Sequence, residues 1–184
     1  RWQGQLDGEL TDEGRQQAKG AIAGLPELDA LYTSGLGRAV ETAEIIGNGL
    51  GLKPQVVAGV EEFGFGAWEG LTADEIREAD PDTARRLFDD DEDVVRGGTG
   101  ETWQLLRDRV TAAVTGLAAK HEGGRIGIVS HGAATRSFAN KVLDLGFHQR
   151  RAVASMRNTA YARCELSPQG MRILEWNIAP HLEG

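Results

Sequence analysis

A chain of 184 residues, 40% of them apolar, fits one domain able to bury a core, and its composition is neither disordered nor fibrous. A formal net charge of −8 argues against a broad nucleic-acid surface, and no apolar stretch approaches the roughly 20 residues of a membrane helix. The single cysteine, Cys164, excludes an internal disulfide framework and a cysteine zinc cluster, in keeping with a reducing cytoplasm.

In chain order, the polar opening Arg1 to Gln5 precedes Thr11, which can cap a helix with Asp12 and Glu13 in its first turn. That helix is expected to run to about Gly24, before Pro26. Asp29 to Ser34 reads as a short buried strand, and Leu36 to Gly49 as a helix with Ala39, Ala43 and Ile46 on one face. Pro54 to Ala58 suggests a further strand. Thr72 and Glu75 fit a capping box opening a helix that stops before Pro81. The acidic run Asp89 to Asp93 reads as a solvated loop, and Gly97 to Thr102 as a flexible one. Glu101 to Lys120 is the clearest amphipathic helix, with Leu106, Val110, Ala113 and Leu117 at helical spacing. Arg125 to Ser130 reads as a buried strand, Gly132 to Asp144 as a helix, and Ala160 to Leu166 with Met171 to Trp176 as a terminal hairpin.

Strands alternating with helices predict an α/β fold, a three-layer αβα arrangement on a mostly parallel central sheet. Ligands in such folds bind beyond the carboxyl ends of the strands. Ser34 and His131 each follow a predicted strand, so these two landmarks are expected on one rim.

Three clusters bear chemistry there. Arg38 lies in the first turn of a helix after a strand, where helix N–H groups and a guanidinium both favour an anion; alone, it reads equally as a surface arginine. Glu61 and Glu62 stand in a run of aromatics and glycines that ends at Gly70. An apolar setting would suit a carboxyl to proton donation, although an aromatic-packed loop with exposed glutamates is the plainer reading. His131 ends a strand and is followed by Gly132 and an opening helix, facing any bound anion. His121, His148 and His181 read as structural or incidental.

Taken together with the opening Arg1-Trp2-Gln3-Gly4, Asp7, Leu10-Thr11, Gly14 and Gln17-Ala18, these segments resemble the histidine phosphatase superfamily, the phosphoglycerate-mutase-like enzymes. The matching motifs are Ser34-Gly35-Leu36-Gly37-Arg38-Ala39 with Thr42-Ala43, then Glu62 to Gly70, Gly100-Glu101-Thr102 (family members usually carry Ser at the last position) and Ser130-His131-Gly132. They fall in family order over nearly the whole chain.

The resemblance implies a metal-independent phosphomonoesterase without a cofactor, acting on a small phosphorylated metabolite through a phosphohistidine. By resemblance, His131 is the second histidine, stabilising charge on the transferring phosphoryl group. Arg38 is the phosphate clamp and Glu62 the proton donor to the leaving oxygen. Gln3 and Gly4 line the substrate side, and backbone atoms of Gly132 and Ala133 the opposite wall. No residue here matches the family's nucleophilic Arg-His-Gly motif, so that motif and a first strand are expected upstream of Arg1. Residues 66–100 are expected to form a cap or specificity insertion. A mutase that returns the phosphoryl group to substrate, and a non-catalytic binding relative, are the alternatives. No nucleic acid, membrane or metal is expected as a partner, and the oligomeric state is open.

Overall fold

A computed structural model describes residues 1–183. Thr11 accepts a hydrogen bond from Gly14 N and opens α1 (Asp12–Ala21), as its cap signature predicts. β1 (Ala30–Thr33) is buried along its length, and α2 (Gly37–Leu50) follows with Ala39, Ala43 and Ile46 in the core. β2 shrinks to an exposed pair, Gln55–Val56. The predicted capping box of Thr72 and Glu75 is present at the start of α3 (Ala73–Ala79). A helix the sequence reading lacked, α4 (Pro81–Phe88), begins at once, with Asp80 as its cap and Pro81 in its first turn. Proline has no N–H to lose there, so the residue that ends α3 also starts α4.

Thr102 caps α5 (Trp103–Ala119), which is followed by β3 (Ile126–Val129), α6 (Gly132–Val142) and the hairpin of β4 (Tyr161–Ser167) and β5 (Gly170–Ile178). β1 pairs in parallel with β2 on one side and β3 on the other, in the order β2-β1-β3, while β4 and β5 form a separate antiparallel sheet. Two helix pairs accompany the strands: α1 lies on α2, which packs on β1 and β3, and α5 lies on α6. Leu117 of α5 sits against Ala30 and Tyr32. No helix among the described residues is long and apolar enough to cross a membrane.

Three expectations need correction. The strand at 126–129 is only half-buried, unlike β1, because among the described residues it pairs on one edge alone. The run from 89 to 93 is not merely solvated, since each member has an arginine: Asp89 with Arg77, Asp90 with Arg85, Asp91 with Arg150, Glu92 with Arg86 and Asp93 with Arg96. Asp91, held by Arg150 at 2.6 Å and His148 at 3.1 Å, has its pKa lowered to about 2 by those bonds. It joins the 89–93 segment to the turn at Phe147–Gln149. Beneath these pairs lies a small core of Trp68, Ile76, Ala84, Leu87 and Val94, against which Trp2 packs.

The glycine segment after Arg96 is likewise not loose. Ala67 N donates to Gly97 O at 3.1 Å, and Glu101 N to Gly64 O at 2.8 Å, so two backbone stretches lie flat on one another. A Cβ at Gly97, whose φ is +53°, would stand 2.3 Å from Phe65 O, whereas at Gly98, with φ of +71°, it would meet nothing within 4 Å. Gly97→Ala is therefore expected to cost at least about 3 kcal/mol, from a backbone clash added to left-handed strain. Gly98→Ala carries the strain alone, about 1 kcal/mol. Urea unfolding of both variants checks the difference; equal losses would mean that the two stretches are not in contact.

Candidate active site

The parallel register sets Thr33 opposite Val129, so the chain segments leaving β1 and β3 emerge side by side. From the first comes Ser34, fully buried; from the second comes His131, 9% exposed. Ser34 Oγ and His131 Nε2 are 2.6 Å apart. Burial foremost, and then the cations Arg38 and Arg109, lower the His131 pKa from 6.5 to about 4. The imidazole is therefore neutral at physiological pH.

Arg38, in the first turn of α2, directs its guanidinium back over the opening segment. Its Nη1 donates to Leu6 O and its Nη2 to Gly4 O, both at 2.8 Å. Gly4 suits this turn, because at its φ of +59° a side chain would be strained and a Cβ would displace Glu69 Oε1, 2.7 Å away, and Phe65 Cδ2, 2.8 Å away. The Gln3 side chain is exposed, and its backbone carbonyl accepts from Leu6 N at 3.1 Å. The start of α2 was expected to receive an anion. It does, from within the chain: Asp7 Oδ1 accepts from Gly37 N at 2.8 Å. The sequence reading used Asp7 only as a motif position.

Glu62 behaves similarly at α6. Its Oε2 accepts from Ala133 N and its Oε1 from Ala134 N, each at 3.2 Å, and Oε1 also takes Phe63 N at 2.8 Å. Phe63 turns into the core beside Trp103 and Leu106, leaving Glu62 on the helix end next to Gly132. The backbone of Ala133 is thus engaged by a carboxylate in this state.

The structure also separates Glu62 from its neighbour. Glu61 accepts from Gly59 N at 2.8 Å and from Arg109 Nη1 at 3.2 Å, away from the α6 end. Arg109, on α5, forms a two-point contact with Glu101, at 2.8 Å and 2.7 Å, and reaches the Glu62 carbonyl at 3.3 Å. Gln5 Nε2 donates to that same carbonyl at 2.9 Å, and Ser130 Oγ to Val60 O at 2.7 Å. Arg109, Gln5 and Ser130 therefore fix the segment that carries Glu62. Their partners lie 47, 57 and 70 residues away, so no local pattern announces them.

His131, Arg38 and Glu62 thus meet on one rim: a neutral imidazole, a cation and a carboxylate. The remaining histidines are engaged elsewhere: His121 with Tyr32, His148 with Asp91 and His181 with Thr159. Such a set can hold a phosphoryl group and move a proton.

Residues 1–179 match the family model of the histidine phosphatase superfamily, branch 1. Phosphoglycerate mutase-like protein 4 of Arabidopsis thaliana is 33% identical over 98% of this chain and 79% of its own length. The metal-independent phosphoserine phosphatase of the same plant is 29% identical over 99% of this chain and 76% of its own. Among solved structures, Bacillus stearothermophilus YhfR superposes with a TM-score of 0.87 at 29% identity, over 99% of this chain and 91% of that one.

The depressed pKa of His131 has a stability consequence. The unfolded chain takes up this proton near pH 6.5 and the folded chain only near pH 4, so stability is full above pH 6.5 and declines as pH falls between the two. At pH 4.5 the loss from this residue is roughly 2–3 kcal/mol. Denaturant unfolding at pH 7 and 4.5 should show the wild type losing that much more than His131→Gln. Equal losses would mean that the imidazole is not held neutral.

Proposed function

The chain belongs to the histidine phosphatase superfamily, branch 1, and on that premise we propose that it hydrolyses a small phosphomonoester through a phosphohistidine intermediate. The observation that carries this reading is the meeting of His131, Arg38 and Glu62 beyond the ends of β1 and β3. The phosphoserine phosphatase among its relatives favours transfer to water over transfer back to substrate.

In the proposed cycle the nucleophilic histidine, distinct from His131, attacks phosphorus with its neutral ring nitrogen while the bond to the leaving oxygen breaks. The Arg38 guanidinium and the His131 imidazole neutralise charge on the equatorial oxygens, where preorganised donors act most strongly. Glu62 enters the cycle as the carboxylic acid and gives that proton to the leaving alkoxide, becoming the carboxylate. The same carboxylate then takes a proton from water, which attacks phosphorus and breaks the P–N bond. Gln3 and Gly4 bound the substrate side, and the Gly132–Ala133 backbone the other.

The attacking histidine belongs, on this reading, to a strand expected upstream of Arg1. The sheets support such a strand: β3 and β4 each pair on one edge only among the described residues, and apolar Ile126 and Ile128 are half-covered. Residues 66–100, with α3 and α4, serve as the cap that selects the organic part of the substrate, secured through Asp91 to the turn at 147–149.

Phosphate release from a panel of phosphomonoesters, set against phosphoryl migration within phosphoglycerate, tests the assignment in the protein carrying the nucleophile. Release is expected to dominate; predominant migration would make the enzyme a mutase. His131→Ala and Arg38→Ala are each expected to lower kcat at least about 100-fold with unchanged circular dichroism. Near-normal turnover in either would remove that residue from the role given to it. A trapped phosphoenzyme should be acid-labile and alkali-stable, as a phosphoramidate is, and an acid-stable adduct would exclude histidine as nucleophile.

A further inference from the structure

We propose that Ser34 is a positioning residue that locks neutral His131 in the tautomer with its proton on Nδ1, aiming that N–H at the phosphoryl group. The inference rests on the role given to His131 above, and it adds which nitrogen does the work.

The argument follows the Ser34 hydroxyl hydrogen. Ser34 is fully buried, so its O–H must find an acceptor within the protein. Its backbone N–H is already committed to Val129 O at 3.1 Å, and its carbonyl accepts from Thr33 Oγ1 at 3.2 Å. The other neighbour of Oγ is Leu36 N, a donor, at 3.5 Å. Among the described residues this leaves one acceptor for the hydroxyl hydrogen, His131 Nε2 at 2.6 Å. Serine therefore donates, Nε2 accepts with its lone pair, and a neutral imidazole then carries its only hydrogen on Nδ1. Among the described residues Nδ1 has no hydrogen-bond partner and is not one of the buried unpartnered atoms, which leaves it to meet a ligand.

The backbone reinforces the arrangement. Ser34 is held by β3 through Val129 O, and His131 is the residue from which α6 starts, with its carbonyl tied by Thr135 N at 2.9 Å and Thr135 Oγ1 at 2.8 Å. Both ends of the serine–imidazole bond are therefore anchored, and the ring cannot turn without breaking it. Burial, Arg38 and Arg109 lower the His131 pKa and keep the ring neutral, the state in which one ring nitrogen can accept. Removing the hydroxyl would free the neutral ring to move its proton to Nε2, the wrong side for the ligand.

Long-range ¹H–¹⁵N correlation spectra of imidazole-labelled protein at pH 7 read the tautomer directly. The full-length wild type is expected to show His131 protonated at Nδ1 and bare at Nε2; a proton on Nε2 would overturn the proposal whatever the variants do. Ser34→Ala should shift the population toward Nε2–H and lower kcat roughly 10- to 100-fold, with KM changed less than about threefold. Ser34→Thr, which keeps the hydroxyl, should recover the Nδ1–H signature and most of the rate. An alanine variant that loses rate while keeping the wild-type tautomer would reduce Ser34 to a packing role and overturn the proposal. The underlying role fails separately: normal turnover in His131→Ala would remove the imidazole from catalysis while the tautomer measurement stood.

Discussion

Four residue pairs between β1 and β3, from Ala30–Ile126 to Thr33–Val129, hold the rest of the site in place. They bring together Ser34 and His131, which lie 97 positions apart. Parallel direction makes both strands end at the same rim, so each delivers its next helix there, α2 carrying Arg38 and α6 beginning beside His131. A slip of one residue would send every side chain of β3 to the opposite face. Gly127 guards that register from within: a Cβ there would come within 2.9 Å of Leu28 and Leu31 side-chain carbons.

Both rim helices begin with N–H groups that an incoming phosphate could use, and both meet a carboxylate of the chain instead, Asp7 at α2 and Glu62 at α6. The two have different consequences. Asp7 belongs to the same opening segment whose carbonyls hold Arg38, so it locks that segment to the helix that bears Arg38. Glu62 accepts from the first N–H groups of the helix that starts from His131, which holds its carboxyl group at a fixed offset from the imidazole. Arg109 secures it from behind by neutralising Glu61 and Glu101.

What the sequence disclosed was local or came in short motifs. Thr11 and Thr72 announce their helices because a cap is a bond between near neighbours, whereas Thr102, read as the end of a loop, proves to be the cap of α5. His131, Arg38 and Glu62 were legible as motif positions, and the adjacent glutamates were told apart by resemblance; the geometry supplies the physical reason, one carboxylate reaching α6 and the other Arg109. The rest depended on distance along the chain. Nothing near the run at 89–93 says that Arg150, 59 residues on, will close on Asp91. Nor does the composition of Gly97 to Gly100 distinguish a loose loop from one pressed against Phe65 and Ala67. Ser34 was visible at its strand end, but its hydroxyl acquires a purpose only once β3 has set the imidazole beside it.

The five paired acids bear on how a substrate arrives. Read from composition, they are a block of negative charge on a chain already at −8, and such a block would repel a phosphate ester over long range. With Arg77, Arg85, Arg86, Arg96 and Arg150 each taking one partner, the block becomes a set of short dipoles. A dipole's field decays faster than a lone charge's, and salt extinguishes it within about 8 Å at physiological ionic strength. An anion diffusing over this side of the molecule thus encounters nearly neutral ground, whereas the Arg38 guanidinium at the rim is bonded, among the described residues, only to the carbonyls of Gly4 and Leu6 and keeps its charge uncompensated by a carboxylate contact.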